Sequence, residues 1–245
     1  MSIVVSKETV HRLLKDVKQI MNNPLTDNNI YYHHDEEDML KGYAMIIGTE
    51  DTPYFGGFYF FEIMYPPDYP HSPPNVKYCT NGDNIRFNPN LYVNGKVCIS
   101  LLNTWSGEQW TSCQTISSVL LTIGTLLCSY PLLNEPGVSR RHIDFVPYTK
   151  IIEYKNIEIA ILYMISKKPS FFPEQFEMFT PFMKESFIKT SPKIEQFLKK
   201  KSILQLQYLN EIPEKLTTSY YSLSVSTDYI HLAKKYTDYL ATLSA

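Results

Sequence analysis

Between positions 65 and 74 the chain reads Tyr65-Pro66-Pro67-Asp68-Tyr69-Pro70-His71-Ser72-Pro73-Pro74. Proline has no amide hydrogen and a fixed φ. Five prolines in ten residues therefore remove the donors that a helix interior or a central strand would need. The segment is a rigid loop, and the elements on either side are arranged around a connection of defined shape. Short runs rich in β-branched and aromatic residues flank it: Gly42 to Gly48, Phe58 to Met64 and Asn75 to Cys79, with Gly56-Gly57 marking a turn or bulge. This spacing predicts a meander of antiparallel strands.

A helix precedes the meander. Ser6 is its candidate N-cap, and Val10, Leu13, Leu14, Val17, Ile20 and Met21 recur at helical spacing before Pro24. Its other face carries His11, Arg12, Lys15, Asp16, Lys18 and Gln19. Asn22 to Asp38 is polar and turn-rich, and His33-His34 beside Asp35-Glu36-Glu37-Asp38 reads as a solvated loop rather than a metal site.

A second ordered loop follows the strands: Arg86-Phe87-Asn88-Pro89-Asn90-Leu91-Tyr92-Val93-Asn94-Gly95-Lys96-Val97-Cys98. It has neither helical nor strand period. Pro89 fixes its own backbone and restricts Asn88, and Asn94-Gly95 suits a tight turn, so the segment holds a shape of its own and can turn Asn90 toward Cys98. A lone cysteine is ordinarily a small buried hydrophobe, so Cys98 by itself proves little, and this ordered loop is the place to look for chemistry.

Composition narrows the function classes. The net charge of −2 over 245 residues gives no basic field for nucleic acid, and Lys199-Lys200-Lys201 reads as a solvated helix face. Cys79, Cys98, Cys113 and Cys128 are spaced by 19, 15 and 15 residues, with no Cys-x-x-Cys pair and no His at ligand spacing, so no zinc site is expected. The first residues are too soon charged for a signal peptide, and no run has the apolar length of a membrane span. Free thiols fit a reducing cytoplasmic or nuclear compartment.

These motifs resemble those of the ubiquitin-conjugating (UBC) enzyme family. The matching features are the turn at 48–57, the Tyr-Pro-x-x-Tyr-Pro-x-x-Pro-Pro loop, and Asn88-Pro89-Asn90 with a cysteine eight residues after Asn90. The resemblance covers about 1–145 and is closest to large members with Asn-Pro-Asn in place of His-Pro-Asn, a longer Trp loop (Leu102 to Trp110) and an Asn-Glu-Pro-Gly segment. It implies an α+β UBC fold: an N-terminal helix, a four-stranded antiparallel meander, the active-site loop and a central helix. Residues 1–150 would form this core, and 151–245 a mostly helical C-terminal extension packed on or beside it.

The resemblance also implies roles. Cys98 would carry ubiquitin or a ubiquitin-like protein as a thioester. Asn90 would stabilise the oxyanion of lysine attack or brace the loop, and Asn88 and Pro89 would hold the loop. The acidic gate falls on Asn134 or Glu135, of which Glu135 is the acid. Arg12 and Lys15 on the first helix, His71 at the tip of the Pro-rich loop, and Thr111 and Ser112 after Trp110 would contact the activating enzyme or a ligase. Thr111 or Ser112 would also cap a second helix, whose buried stripe is Ile116, Val119, Leu120, Ile123, Leu126 and Leu127. The uncharged face of that helix, with Ser118, Leu121, Thr122 and Thr125, would dock the carried ubiquitin. No cofactor is implied, since ATP is used by the upstream activating enzyme.

Beyond the resemblance, Tyr154, Ile157, Ile161, Met164 and Ile165 form a helical stripe ending before Pro169. Phe171 to Thr190 is rich in Phe and interrupted by Pro173 and Pro181. A helix is expected from Pro192 to Leu209, and a last one holds Tyr229, Ile230, Ala233, Tyr236 and Leu240. Two other classes remain in view. An inactive ubiquitin-binding module would lack the cysteine. A thiol hydrolase would need a positioned His base, for which His71, His142 and His231 have no local signature.

Overall fold

A computed structural model of the protein describes residues 5–166 and 174–243; the expectations for Phe171, Pro169 and Pro173 lie outside them. Helix α1 (Lys7–Asn22) starts at Ser6, whose Oγ accepts from the Thr9 amide at 3.0 Å. The helix is rotated from the expected stripe. Leu13 and Ile20 are buried with Thr9 and Asp16, whereas Leu14 and Met21 are 59% and 57% exposed. Asp16 tolerates burial because Arg12 pairs with it at 2.8 Å and the Tyr69 hydroxyl donates to it at 2.6 Å. A charge assigned by periodicity to solvent is thus the link between α1 and the Pro-rich loop.

The sheet is a meander in the order β1 (Ile30–His34), β2 (Lys41–Ile47), β3 (Phe58–Met64) and β4 (Asn75–Tyr78), with every neighbouring pair antiparallel. Strand β1 corrects the reading of Asn22 to Asp38 as loop throughout. Its ladder with β2 runs from Ile30 opposite Ile46 to His34 opposite Gly42. Its polar side chains are held by one local and one distant contact, Tyr32 Oη lying 2.8 Å from His34 Nδ1 in the same strand and 2.9 Å from Tyr65 Oη beyond β3.

β2 and β3 are buried nearly throughout, as their mostly apolar sequences require, Glu62 and the end residues Lys41 and Met64 being the less buried positions. Residues directly opposite across the ladder share a face. Tyr43, Met45 and Phe60 therefore point one way, and Ile30, Ile46 and Tyr59 the other. The first face is covered by the C-terminal extension, with Phe176 lying 5.5 Å from Tyr43 and 5.1 Å from Phe60 between ring centroids. On the second, Ile30 faces Gly124 of helix α2 (Ile116–Leu126).

Helix α2 buries Ile116, Val119, Leu120 and Ile123. Its cap is Thr115, not Thr111 or Ser112. Residues 111–114 close a turn, with the Gln114 amide donating to the Thr111 carbonyl at 3.0 Å, and Ser118 Oγ accepts from the Thr115 amide at 3.1 Å.

Helix α3 (Phe145–Lys155) runs across position 150 and continues as a π-helical stretch, Asn156–Tyr163, into the short α4 (Met164–Ser166). Asn156 ties this run to the sheet. It accepts from the Tyr59 hydroxyl at 2.6 Å and donates to the Phe55 carbonyl at 2.9 Å. A Cβ on Gly57 would sit 1.9 Å from its Oδ1, so a side chain at that turn is excluded.

Helix α5 (Thr180–Leu209) begins with Pro181 in its first turn and passes through Pro192, where a helix start was expected. An interior proline costs about 3 kcal/mol. Burial of Met183, Phe187, Ile194 and Leu198 along one face outweighs it. The mostly helical extension also contains a hairpin, β5 (Glu214–Thr217) with β6 (Ser224–Thr227), before α6 (Tyr229–Leu243). Its signal was present as alternation, with Leu216, Val225 and Thr227 inward and Lys215, Ser224 and Ser226 outward. No helix among the described residues is long and apolar enough to cross a membrane.

Candidate active site

The loop between β4 and α2 folds back on itself. Leu91 bridges Val97, the Tyr92 amide donates to the Lys96 carbonyl at 2.9 Å, and Gly95 takes φ +92° at the Asn94-Gly95 turn. This return brings Asn90 and Cys98 together. The Cys98 amide donates to the Asn90 carbonyl at 2.9 Å, and Asn90 Nδ2 donates to the Cys98 carbonyl at 2.6 Å. Asn90 is 8% exposed and its Oδ1 is buried without a partner. In this conformation the Asn90 side-chain amide is engaged with the backbone of Cys98.

Asn88 is fully buried and organises the loop from below. Its Oδ1 accepts from the Asn90 amide at 2.9 Å, and its Nδ2 donates to the Leu126 carbonyl at 2.8 Å and to Tyr54 Oη at 3.1 Å. Tyr54 in turn donates to the Phe87 carbonyl at 2.7 Å. An uncharged amide with both a donor and an acceptor end can satisfy all of these groups at once. Asn134 joins the same cluster, its Nδ2 lying 3.2 Å from the Leu126 carbonyl and 3.4 Å from Asn88 Oδ1.

On the other side of Cys98, Thr104 of the Trp loop accepts from the Ile99 amide at 3.0 Å and donates to the Val97 carbonyl at 2.8 Å. Both residues next to the cysteine are therefore tied down. The residue itself shows 2% of its surface, so a protein-sized donor reaches the sulfur only with local yielding of this rim.

Glu135 lies half-buried after α2, and its Oε2 accepts from the Tyr221 hydroxyl of the C-terminal extension. The guanidinium of Arg86 lies 3.6 Å from the Tyr92 ring centroid and 4.3 Å from that of Tyr221, and donates to the Pro89 carbonyl. Burial, and then the Glu135 carboxylate, push the Tyr221 phenol well above its ordinary range, so it stays a donor.

The remaining candidates lie away from Cys98 in sequence. Arg12 donates to the Ser112 and Gln114 carbonyls besides pairing with Asp16, so its guanidinium is engaged within the molecule, whereas Lys15 is exposed. His71 is exposed, its Nε2 lying 3.4 Å from Glu8 of α1. The Pro-rich loop beneath it is pinned by Trp110 Nε1 donating to the Pro70 carbonyl at 2.8 Å and by Thr9 donating to the Pro67 carbonyl at 2.9 Å. Thr111 and Ser112 are exposed. On α2, Thr125 is exposed and Leu121 is 38% exposed, while the half-buried Ser118 has its hydroxyl engaged in the helix cap.

Tyr54, Thr104, Arg86 and Tyr221 were not assigned roles by pattern. The first two have no local signature, and the last two meet only through the fold. Among the described residues no group of three or more His, Cys, Asp or Glu is placed to hold a metal.

The family model described as "Ubiquitin-conjugating enzyme" matches residues 12–143. The chain is 43% identical over 166 residues to "Ubiquitin-conjugating enzyme E2 Z" of Xenopus tropicalis, an alignment covering 66% of this chain and 52% of the relative. It is 44% identical over 160 residues to the Homo sapiens protein of the same name, covering 64% and 45%. To the Homo sapiens "Dual E2 ubiquitin-conjugating enzyme/E3 ubiquitin-protein ligase BIRC6" it is 44% identical over 124 residues, covering 47% of this chain and 2% of that one. The chain spans about half the length of the E2 Z relatives it matches. With the meander, the proline loop and the cysteine-bearing loop in place, the match over 12–143 shows that the chain belongs to the ubiquitin-conjugating enzyme family.

Proposed function

We propose that this protein accepts ubiquitin, or a ubiquitin-like protein, from an activating enzyme as a thioester on Cys98 and transfers it to a substrate lysine, with a ligase as partner. The observation that carries the reading is the reciprocal pair of hydrogen bonds between Asn90 and Cys98, in a chain of this family.

In loading, the Cys98 sulfur attacks the donor's thioester carbonyl, a new C–S bond forms, and the donor's C–S bond breaks to release its thiolate. The proton of Cys98 leaves to solvent, so no adjacent base is required. In transfer, the lysine nitrogen attacks the Cys98 thioester, a C–N bond forms, the C–S bond breaks and the sulfur departs as thiolate. The amine proton passes to solvent. Asn90 Nδ2 has a second hydrogen beyond the one directed at the Cys98 carbonyl, and it supplies a neutral donor for the oxyanion. Loss of such a donor costs about 100-fold or more in rate. Glu135 is the acid we assign to orienting the lysine.

Arg12 supports the activating-enzyme surface indirectly, by holding residues 112–114 against α1, while Lys15, His71, Thr111 and Ser112 offer exposed contacts. Leu121, Thr125 and the edge of Ser118 form the docking face for the carried modifier. A reducing cytoplasmic or nuclear compartment suits the free thiols.

The test is direct. Purified protein with ubiquitin, ATP and a panel of activating enzymes gives a band on a non-reducing gel that thiols remove and Cys98→Ala abolishes. Absence of that band with every activating enzyme and modifier in the panel would overturn the reading.

A further inference from the structure

The C-terminal extension meets the active-site loop through the turn between β5 and β6. Two consecutive non-glycine residues there, Tyr221 (φ 60°) and Ser222 (φ 49°), occupy the left-handed region. An L residue holds that conformation at a cost, so the surroundings must impose it. The buried carboxylate of Asp144 does so from the neighbouring side, accepting from the Ser219 amide at 3.0 Å, the Ser219 hydroxyl at 2.6 Å and the Tyr220 amide at 2.9 Å. His142 packs against Tyr220 with ring centroids 5.0 Å apart. The turn is thereby presented with Tyr221 foremost.

Tyr221 touches both groups that border the loop. Its hydroxyl donates to Glu135 Oε2, and Glu135 Oε1 makes no hydrogen bond among the described residues. Its ring lies against Arg86, whose guanidinium also meets the Tyr92 ring and donates to the carbonyl of Pro89, the residue between Asn88 and Asn90. Tyr148 of α3 backs the arrangement, donating to the Arg86 carbonyl at 2.6 Å while its ring lies 5.8 Å from that of Tyr221.

We propose that Tyr221, a residue of the C-terminal extension, is a positioning residue for lysine transfer: its hydroxyl holds the Glu135 carboxylate, and its ring clamps the Arg86 that holds Pro89. The extension thus does more than cover the sheet, since it completes the site. The proposal rests on the thioester chemistry assigned to Cys98. One oxygen of Glu135 is fixed by the phenol and the other is left to meet an incoming ammonium or amine, so the extension sets where that acceptor points. Without the hydroxyl the carboxylate is released to solvent and the lysine loses its orientation, while the sulfur and Asn90 are untouched.

The experiment separates charging from discharge. The protein is charged with ubiquitin by an activating enzyme competent in the thioester assay, the activating step is quenched, and the thioester is followed with and without free L-lysine. Tyr221→Phe keeps the ring and removes the hydroxyl. It is expected to charge as the parent does and to discharge to lysine about tenfold more slowly, the effect of losing one hydrogen bond to a charged group. Its hydrolysis without lysine should match the parent's. Glu135→Gln should slow lysine discharge similarly, and the double variant should be no slower than the slower single one. Tyr221→Leu, which also removes the ring from Arg86, should be slower than Tyr221→Phe.

Discharge of Tyr221→Phe to lysine within about twofold of the parent would overturn the proposal, since the hydrogen bond is worth more than that. A parallel loss in hydrolysis and lysine discharge would assign Tyr221 a structural role only and overturn it as well. So would additive losses in the double variant. If the parent itself fails to charge, the failure belongs to the thioester reading, and this proposal falls with it.

Discussion

Asn88 Nδ2 donates to the Leu126 carbonyl at 2.8 Å, which fastens the loop carrying Pro89 and Asn90 to the C-terminal end of α2. The same side chain accepts from the Asn90 amide, so the position of Asn90 relative to Cys98 is set from α2 as well as from the loop itself. Asn88→Leu keeps the volume and removes the polar ends, leaving the Asn90 amide without its partner in the interior. A loss of about 2 kcal/mol in unfolding free energy is expected, read from urea titration. Charging of Cys98 should fall in proportion more than stability does at a temperature where the variant remains folded.

Arg12 and Lys15 are neighbours on α1 that the fold treats differently. Arg12 neutralises the buried Asp16 and donates to two carbonyls ahead of α2; Lys15 is exposed. Arg12→Ala should cost about 3 kcal/mol, because it strands a carboxylate in the interior, whereas Lys15→Ala should change stability by less than about 0.5 kcal/mol. A charging defect in Lys15→Ala therefore reports partner contact, and one in Arg12→Ala must first be corrected for the folded fraction.

Thiol reactivity should follow exposure and ionisation rather than function. Cys113 is exposed, Cys98 is buried, and burial pushes the Cys79 thiol up to about 11. Mass-spectrometric mapping with iodoacetamide at pH 7.5 should find Cys113 modified first. Cys79 should stay unmodified over the same interval, and Cys98 should be slow in the free protein.

The hairpin turn should loosen in acid. Burial alone would raise the Asp144 carboxyl, but hydrogen bonds from the Ser219 hydroxyl and the Tyr220 and Ser219 amides outweigh it and hold the group below its ordinary 3.8. The unfolded chain then binds the proton first, so the stabilisation is complete above pH 3.8 and disappears as pH falls through the lower folded value. Asp144→Asn is expected to be less stable than the parent at pH 7 by about 2 kcal/mol, a difference that narrows below pH 3.8. Paired melting curves across pH 3 to about 7 check both statements.

Truncation after residue 150 cuts α3 and uncovers the sheet face that carries Tyr43 and Phe60, now packed by Phe176. Such a shortened chain should lack a cooperative melting transition and aggregate. A monomeric truncated protein that melts cooperatively would count against this coupling of core and extension.

Some of this was determined by sequence because the forces involved are local. Five prolines between Tyr65 and Pro74 exclude helix and ladder, Asn94-Gly95 turns the loop back, and the stripe Ile116, Val119, Leu120 and Ile123 buries as its period demands. Asn90 and Cys98, eight residues apart, needed only that turn to meet. Periodicity failed where a buried polar group finds a distant partner. Asp16 lies inside because Tyr69 reaches it, β1 forms from a polar segment because β2 pairs with it, and α5 continues through Pro192 because its apolar face is packed. The contact between Tyr221 and Glu135 spans 86 residues and belongs to no motif. Only the folded chain, which brings the hairpin turn beside Arg86 and Asp144, decides that the Glu135 carboxylate is held by a residue from the C-terminal part of the sequence. Hydrogen bonds and ring contacts of that kind depend on positions in space, which a one-dimensional pattern does not encode.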